Sequence, residues 1–66
     1  MAENELETMA NQIGRYFQAY PEEKAVNDIV DHLNSFWEKR MKEKLITQSK
    51  VENNLSPLVL KAIEKL

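Results

Sequence analysis

Gly14, Pro21 and Pro57 are the only glycine and prolines in the chain, and this scarcity of turn chemistry is its strongest constraint. Paired β-strands are joined by tight turns, and tight turns lean on glycine, proline and their relatives. Glutamate, lysine, leucine, alanine, methionine and glutamine fill the intervals instead, and all of these are good helix formers. The expected class is all-α, a small bundle of three to four helices with a helical-hairpin core.

A chain of 66 residues forms one domain at most, here residues 1–66 taken together. Folds this small leave much of their apolar surface in water and usually need a staple. Cysteine is absent, which removes disulfides and thiolate metal sites. His32, the single histidine, has no HxxxH or HExxH spacing around it and cannot build a zinc site without carboxylate help. Helix packing, self-association or a partner protein is left as the stabiliser.

Apolar residues recur at helical spacing in four stretches. From about Asn4 to Ala19, the residues Leu6, Met9, Ala10, Ile13, Phe17 and Tyr20 fall on one face. Glu3, Glu5 and Glu7 sit at the start of this stretch, where the helix dipole favours negative charge. Gly14 inside it costs about 1 kcal/mol relative to alanine, so it marks either a close approach by another helix or a tolerated weakness. Pro21 pushes Tyr20 out of helical geometry and, with Glu22 and Glu23, opens a second helix. Its apolar face reads Val26, Ile29, Val30, Leu33 and then Phe36 or Trp37, with Asn27, Asp28, Asp31 and Asn34 outward.

Adjacent residues on a helix point roughly 100° apart, so Phe36 and Trp37 cannot bury against the same neighbour. Either the helix ends there or one ring faces something else. Arg40, Met41, Lys44, Leu45 and Ile46 form a short amphipathic third stretch, started by Ser35 or Glu38. Thr47 to Asn54 reads as a loop. Leu55-Ser56-Pro57 is a clear helix start: Ser56 caps, Pro57 suits the first helical position, and Leu55 and Leu60 form a hydrophobic staple. Val59, Ala62, Ile63 and Leu66 complete the last stripe.

Charge narrows the function. Residues 1–35 hold Glu3, Glu5, Glu7, Glu22, Glu23, Asp28 and Asp31 against Arg15 and Lys24. Residues 36–50 hold Lys39, Arg40, Lys42, Lys44 and Lys50 against Glu38 and Glu43, with Glu38–Lys42 the expected local pair. A net charge of −2 makes a poor nucleic-acid binder, although the run from Lys39 to Lys44 keeps that option in view. No run approaches the roughly 18 apolar residues of a membrane span. The opening MAENELETM is acidic and lacks the apolar core of a secretory signal, so the expected location is the cytoplasm.

Catalytic chemistry has little to stand on. There is no glycine-rich phosphate loop and no nucleophile elbow around Ser35, Ser49 or Ser56. Asp31 and His32 point to different sides of a helix and cannot pair, while Asp28, four residues earlier, is within reach of His32. The expectation is no catalytic residue, no bound metal and no cofactor in this chain. Phe36, Trp37, Arg40 and Met41 combine the residue types enriched at interface hot spots and are the candidate partner-binding residues. The alternative for Trp37 is that it is the largest ring of the core. Substituting Trp37 by alanine separates the two, since an interface tryptophan costs binding and a core tryptophan costs helicity.

Four stretches in order carry a family resemblance: Met9-Ala10-Asn11-Gln12-Ile13 with Tyr16-Phe17, Asp31-His32-Leu33 leading to Phe36-Trp37, Arg40-Met41, and Leu55-Ser56-Pro57-Leu58-Val59 with Ala62. Together they resemble the delta subunit of soluble NAD-dependent formate dehydrogenase, over about residues 6–63. That family often has proline where Lys39 stands, so a helix running on through Trp37 becomes possible here. It often has aspartate at Ser56, an equally good cap. The resemblance implies a non-catalytic subunit that binds the large alpha subunit and supports assembly, cofactor maturation or stability. It implies that molybdenum or tungsten pterin, iron–sulfur clusters, FMN and NAD are carried by the other subunits. A self-associating helical scaffold or regulatory module unrelated to formate oxidation is the alternative.

Overall fold

In a computed structural model describing residues 5–51 and 54–66, four helices account for the periodic stretches. They are α1 (Glu5–Phe17), α2 (Glu22–Phe36), α3 (Lys39–Ser49) and α4 (Pro57–Glu64). The expected start near Asn4, and Glu3 before it, lie outside the described residues. The all-α class stands.

Each boundary has a local cause. Glu5 and Glu7 occupy the first turn of α1 and Arg15 its last, matching the helix dipole at both ends. The helix stops at Phe17, earlier than expected, and Gln18 to Pro21 form a turn. Pro21 is extended (φ −53°, ψ 147°) and stands just outside α2, so Glu22 and Glu23, not the proline, make the first turn. At the other end α2 does not run on through Trp37. The N–H of Trp37 still makes the last helical bond, to the Leu33 carbonyl at 3.0 Å, but its extended backbone (φ −101°, ψ 137°) ends the helix at Phe36.

Glu38 then starts α3 without a side-chain cap. This helix continues through Thr47, Gln48 and Ser49, residues expected in a loop, and the Ser49 hydroxyl donates back to the Ile46 carbonyl at 2.6 Å. Ser56 caps α4 as its sequence indicates, its hydroxyl accepting from the Val59 N–H at 3.4 Å.

The core joins all four helices. Ile29 and Leu33 of α2, Leu45 of α3 and Val59 of α4 are its largest fully buried side chains, with Ala10 from α1 and Trp37, Leu55, Ala62 and Ile63 beside them. The short Gln18–Pro21 connection makes α1 and α2 the expected hairpin. The principal packing, however, is α2 against α4, and α4 touches all three other helices. By contrast α2 and α3, consecutive in the chain, hardly touch.

Gly14 is where α1 meets α4. A Cβ added there would lie 2.8 Å from Val59 Cγ2 and 3.1 Å from Ser56 Oγ. Of the two readings of this glycine, close approach is the one observed. One turn away, Asn11 grips the segment entering α4: its Nδ2 donates to the Asn54 carbonyl at 2.9 Å, and its Oδ1 accepts from the Ser56 N–H at 2.9 Å. Glu7, almost fully buried, accepts from the Asn54 N–H at 3.2 Å and from Gln48 Nε2 at 3.5 Å. Lys61 of α4 pairs with Glu22 at the start of α2.

Candidate functional site

The side of α1 that meets α4 leaves the opposite flank bare. Each residue advances about 100° around a helix. With Glu7, Asn11 and Gly14 turned toward Asn54, Ser56 and Val59, Met9 and Tyr16 point away from α4, while Ile13 packs against the core. On α2, His32 and Phe36 stand one turn apart at the edge of the face that carries Ile29 and Leu33. The Lys24 ammonium of α2 lies 5.1 Å from the centre of the Tyr20 ring in the turn between the two helices.

α1, the turn after it and the end of α2 expose much apolar surface. Tyr16 is 74% exposed and Phe36 73%, with Met9 and Tyr20 each partly open. Met9 and Tyr20 were expected inside. The apolar arc of α1 is wider than the strip the other helices cover, and the excess faces solvent. The rings are nevertheless ordered against neighbours. Tyr16 meets Phe17 edge-on at 5.0 Å, Phe17 meets Tyr20 at 6.1 Å, and His32 lies 4.7 Å from Phe36. His32 thus contacts a ring, while Asp28 pairs with Lys24 at 3.0 Å and not with His32.

The four candidate partner-binding residues divide. Trp37, 7% exposed, belongs to the core, so the core reading of that ring describes its position. Met41 is half-buried and packs against the core from α3. Phe36 and Arg40 are exposed, four residues apart across the bend at Trp37–Glu38. Arg40 and Lys44 line a groove between α1 and α3, together with Glu5, Leu6, Glu43, Thr47 and Gln48. Lys42 donates to Asn34 Oδ1 at 3.0 Å and so leaves the expected Glu38–Lys42 pair unmade.

Tyr16, Tyr20 and Met9 were missed as surface candidates. The available signal was the breadth of the arc: Tyr16 beside Phe17 places rings on adjacent directions, and one helix neighbour cannot cover both. Among the described residues no group of three or more His, Asp or Glu side chains is arranged to hold a metal ion. No helix among them is long and apolar enough to cross a membrane. The arrangement offers contact surface.

One family model, described as NADH-dependent formate dehydrogenase delta subunit FdsD, matches residues 5–63 of the chain. No curated protein and no solved structure matches it.

Proposed function

Because the chain belongs to the NADH-dependent formate dehydrogenase delta-subunit family, we propose that it is a non-catalytic accessory subunit, docked on the large alpha subunit of a cytoplasmic formate dehydrogenase. In that role it supports assembly, cofactor maturation or stability of the enzyme. Formate oxidation and electron transfer to NAD take place on the pterin metal, iron–sulfur clusters and FMN of the other subunits. This chain contributes binding energy, and it needs neither nucleic acid nor a membrane.

The observation that carries the reading is the apolar surface exposed by α1, the turn after it and the end of α2. Exposed aromatic side chains held in place by ring contacts lose little freedom when a partner covers them, which is why such residues dominate interface energetics. Phe36 is the central contact in this proposal, with Tyr16, Tyr20, Met9 and Arg40 as the further exposed candidates. Trp37 and Met41 act from behind, holding the bend that presents Phe36. A fold of this size also gains stability whenever a partner binds only its folded form. When the alpha subunit is absent, the same surface suits a second copy of the chain.

Co-purification tests this directly. Phe36→Ala removes a ring that the fold itself leaves exposed, so helicity should be unchanged. Its association with a tagged alpha subunit should weaken by about ten-fold or more, the range of an interface hot spot. Full retention of Phe36→Ala together with that of Tyr16→Ala would show that this surface is not the contact.

A further inference from the structure

His32 is the only histidine in the chain, and histidine is the side chain that ordinarily changes charge between about pH 5 and 8. It is half-buried, and its imidazole lies against the Phe36 ring, with 4.7 Å between the centroids and 38° between the planes. Among the described residues it makes no hydrogen bond and no ion pair, and the charges around it are engaged or face elsewhere. On its own helix Asp28 is bound to Lys24, and exposed Asp31 points about 100° away. Glu22 and Glu23 share a groove at the start of α2 with Lys61, Glu64 and Lys65 of α4, the helix packed most closely on α2. On α1, Glu5 lines the groove with α3, Glu7 is turned to Gln48 and Asn54, and Arg15 lies beside Ser56 and Pro57. On α3, which hardly touches α2, Lys42 reaches Asn34 with Lys39 and Glu43 beside it, while Arg40 and Lys44 line the groove with α1. Glu38 lies exposed beyond the bend.

We propose that His32 makes docking of the chain sensitive to pH: the partner that closes over Phe36 holds the imidazole neutral, and association weakens as a proton returns to it. The inference rests on the accessory-subunit reading, with Phe36 as its central contact, and adds the regulation of that contact. A surface laid over a ring also takes water from the group the ring touches. Neutral imidazole tolerates this loss. Imidazolium has a charge and two N–H donors to keep solvated, and Asp28, one turn away, is already taken by Lys24. The bound chain therefore holds fewer protons than the free one. Affinity is full above the range in which the free imidazole titrates and falls as pH drops through it, by at most about ten-fold per pH unit for one proton. Imidazoles ordinarily titrate near pH 6.5, so the loss between about pH 7.5 and 5.5 should be roughly ten-fold.

The experiment measures the affinity of the full chain for formate dehydrogenase depleted of it, at about pH 7.5 and about pH 5.5 and at constant ionic strength. Wild type is compared with His32→Gln and with Phe36→Ala, and circular dichroism at both pH values checks that each free chain is equally helical. Wild type should lose roughly ten-fold on acidification. His32→Gln, neutral throughout, should bind like wild type at the higher pH and lose far less at the lower. Labelling the single histidine gives a reading that needs no variant. Its NMR signals should show imidazolium in the free chain at about pH 5.5 and neutral imidazole in the complex. An equal loss in wild type and His32→Gln would assign the pH dependence to other groups and overturn the proposal. Binding that strengthens on acidification in wild type alone would overturn it too, since an acid of the partner would then be meeting the imidazolium. A flat wild-type profile, with Phe36→Ala binding weakly at both pH values, would leave docking through Phe36 standing and remove the pH response. Phe36→Ala binding like wild type at both pH values would remove the docking contact and the proposal with it.

Discussion

Two neighbouring rings at the end of α2 have opposite fates, and backbone geometry decides which. Phe36 is the last helical residue and remains in solvent, whereas the extended backbone of Trp37 swings the indole into the core. Trp37 therefore ends the helix, turns the chain and fills the interior at once. Trp37→Ala should cost about 3–5 kcal/mol, the usual range for deleting a buried large ring. In a domain so small that is comparable to its whole stability. The measurable outcome is loss of the helical circular dichroism signal at room temperature, in contrast to Phe36→Ala, which should leave it intact. The two rings could not be told apart by pattern alone. Both carry the apolar character that helical spacing allows, and no proline or glycine marks the break. What distinguishes them is long-range packing, which no local signal encodes.

Where cause is local, pattern and fold agree element by element. The start of α4 was legible because Ser56 and Pro57 act on their own backbone, and the break after α1 was legible because Pro21 does the same. The end of α3 was not legible: apolar spacing stops after Ile46, yet the helix continues to Ser49, where Gln48 reaches Glu7 of α1. The partners of Glu7 and Asn11 could not be read from the sequence either, because they come from the distant Asn54–Ser56 segment and, for Glu7, from Gln48. Gly14 shows the same dependence between elements. Gly14→Ala improves α1 in isolation by about 1 kcal/mol. In the fold it drives a methyl into Val59, a fully buried and stiff side chain. Overpacking costs about 1–3 kcal/mol, so the net effect should be a loss of up to about 2 kcal/mol. Chemical denaturation measures it; a gain in stability would mean that α1 and α4 are not held at this distance. The candidate site was half legible for a related reason. Phe36 and Arg40 are exposed, but which part of the broad α1 arc stays bare is decided by where α4 lies.

Across the whole molecule the Cα atoms span only 17 Å in the thinnest direction, about two packed helices. Every core residue is then one layer from solvent, and the interior has no redundancy. The helix that completes it, α4, is the shortest, and each of the others rests on it. That arrangement makes a short segment the latch of the interior. Without residues 55–66, Ile29, Leu33 and Leu45 have no Val59, Ala62 or Ile63 to close over them. A chain cut after Asn54 should be protease-sensitive and melt without a cooperative transition. Three helices thus keep a common shape only while the eight residues of the fourth are seated against them.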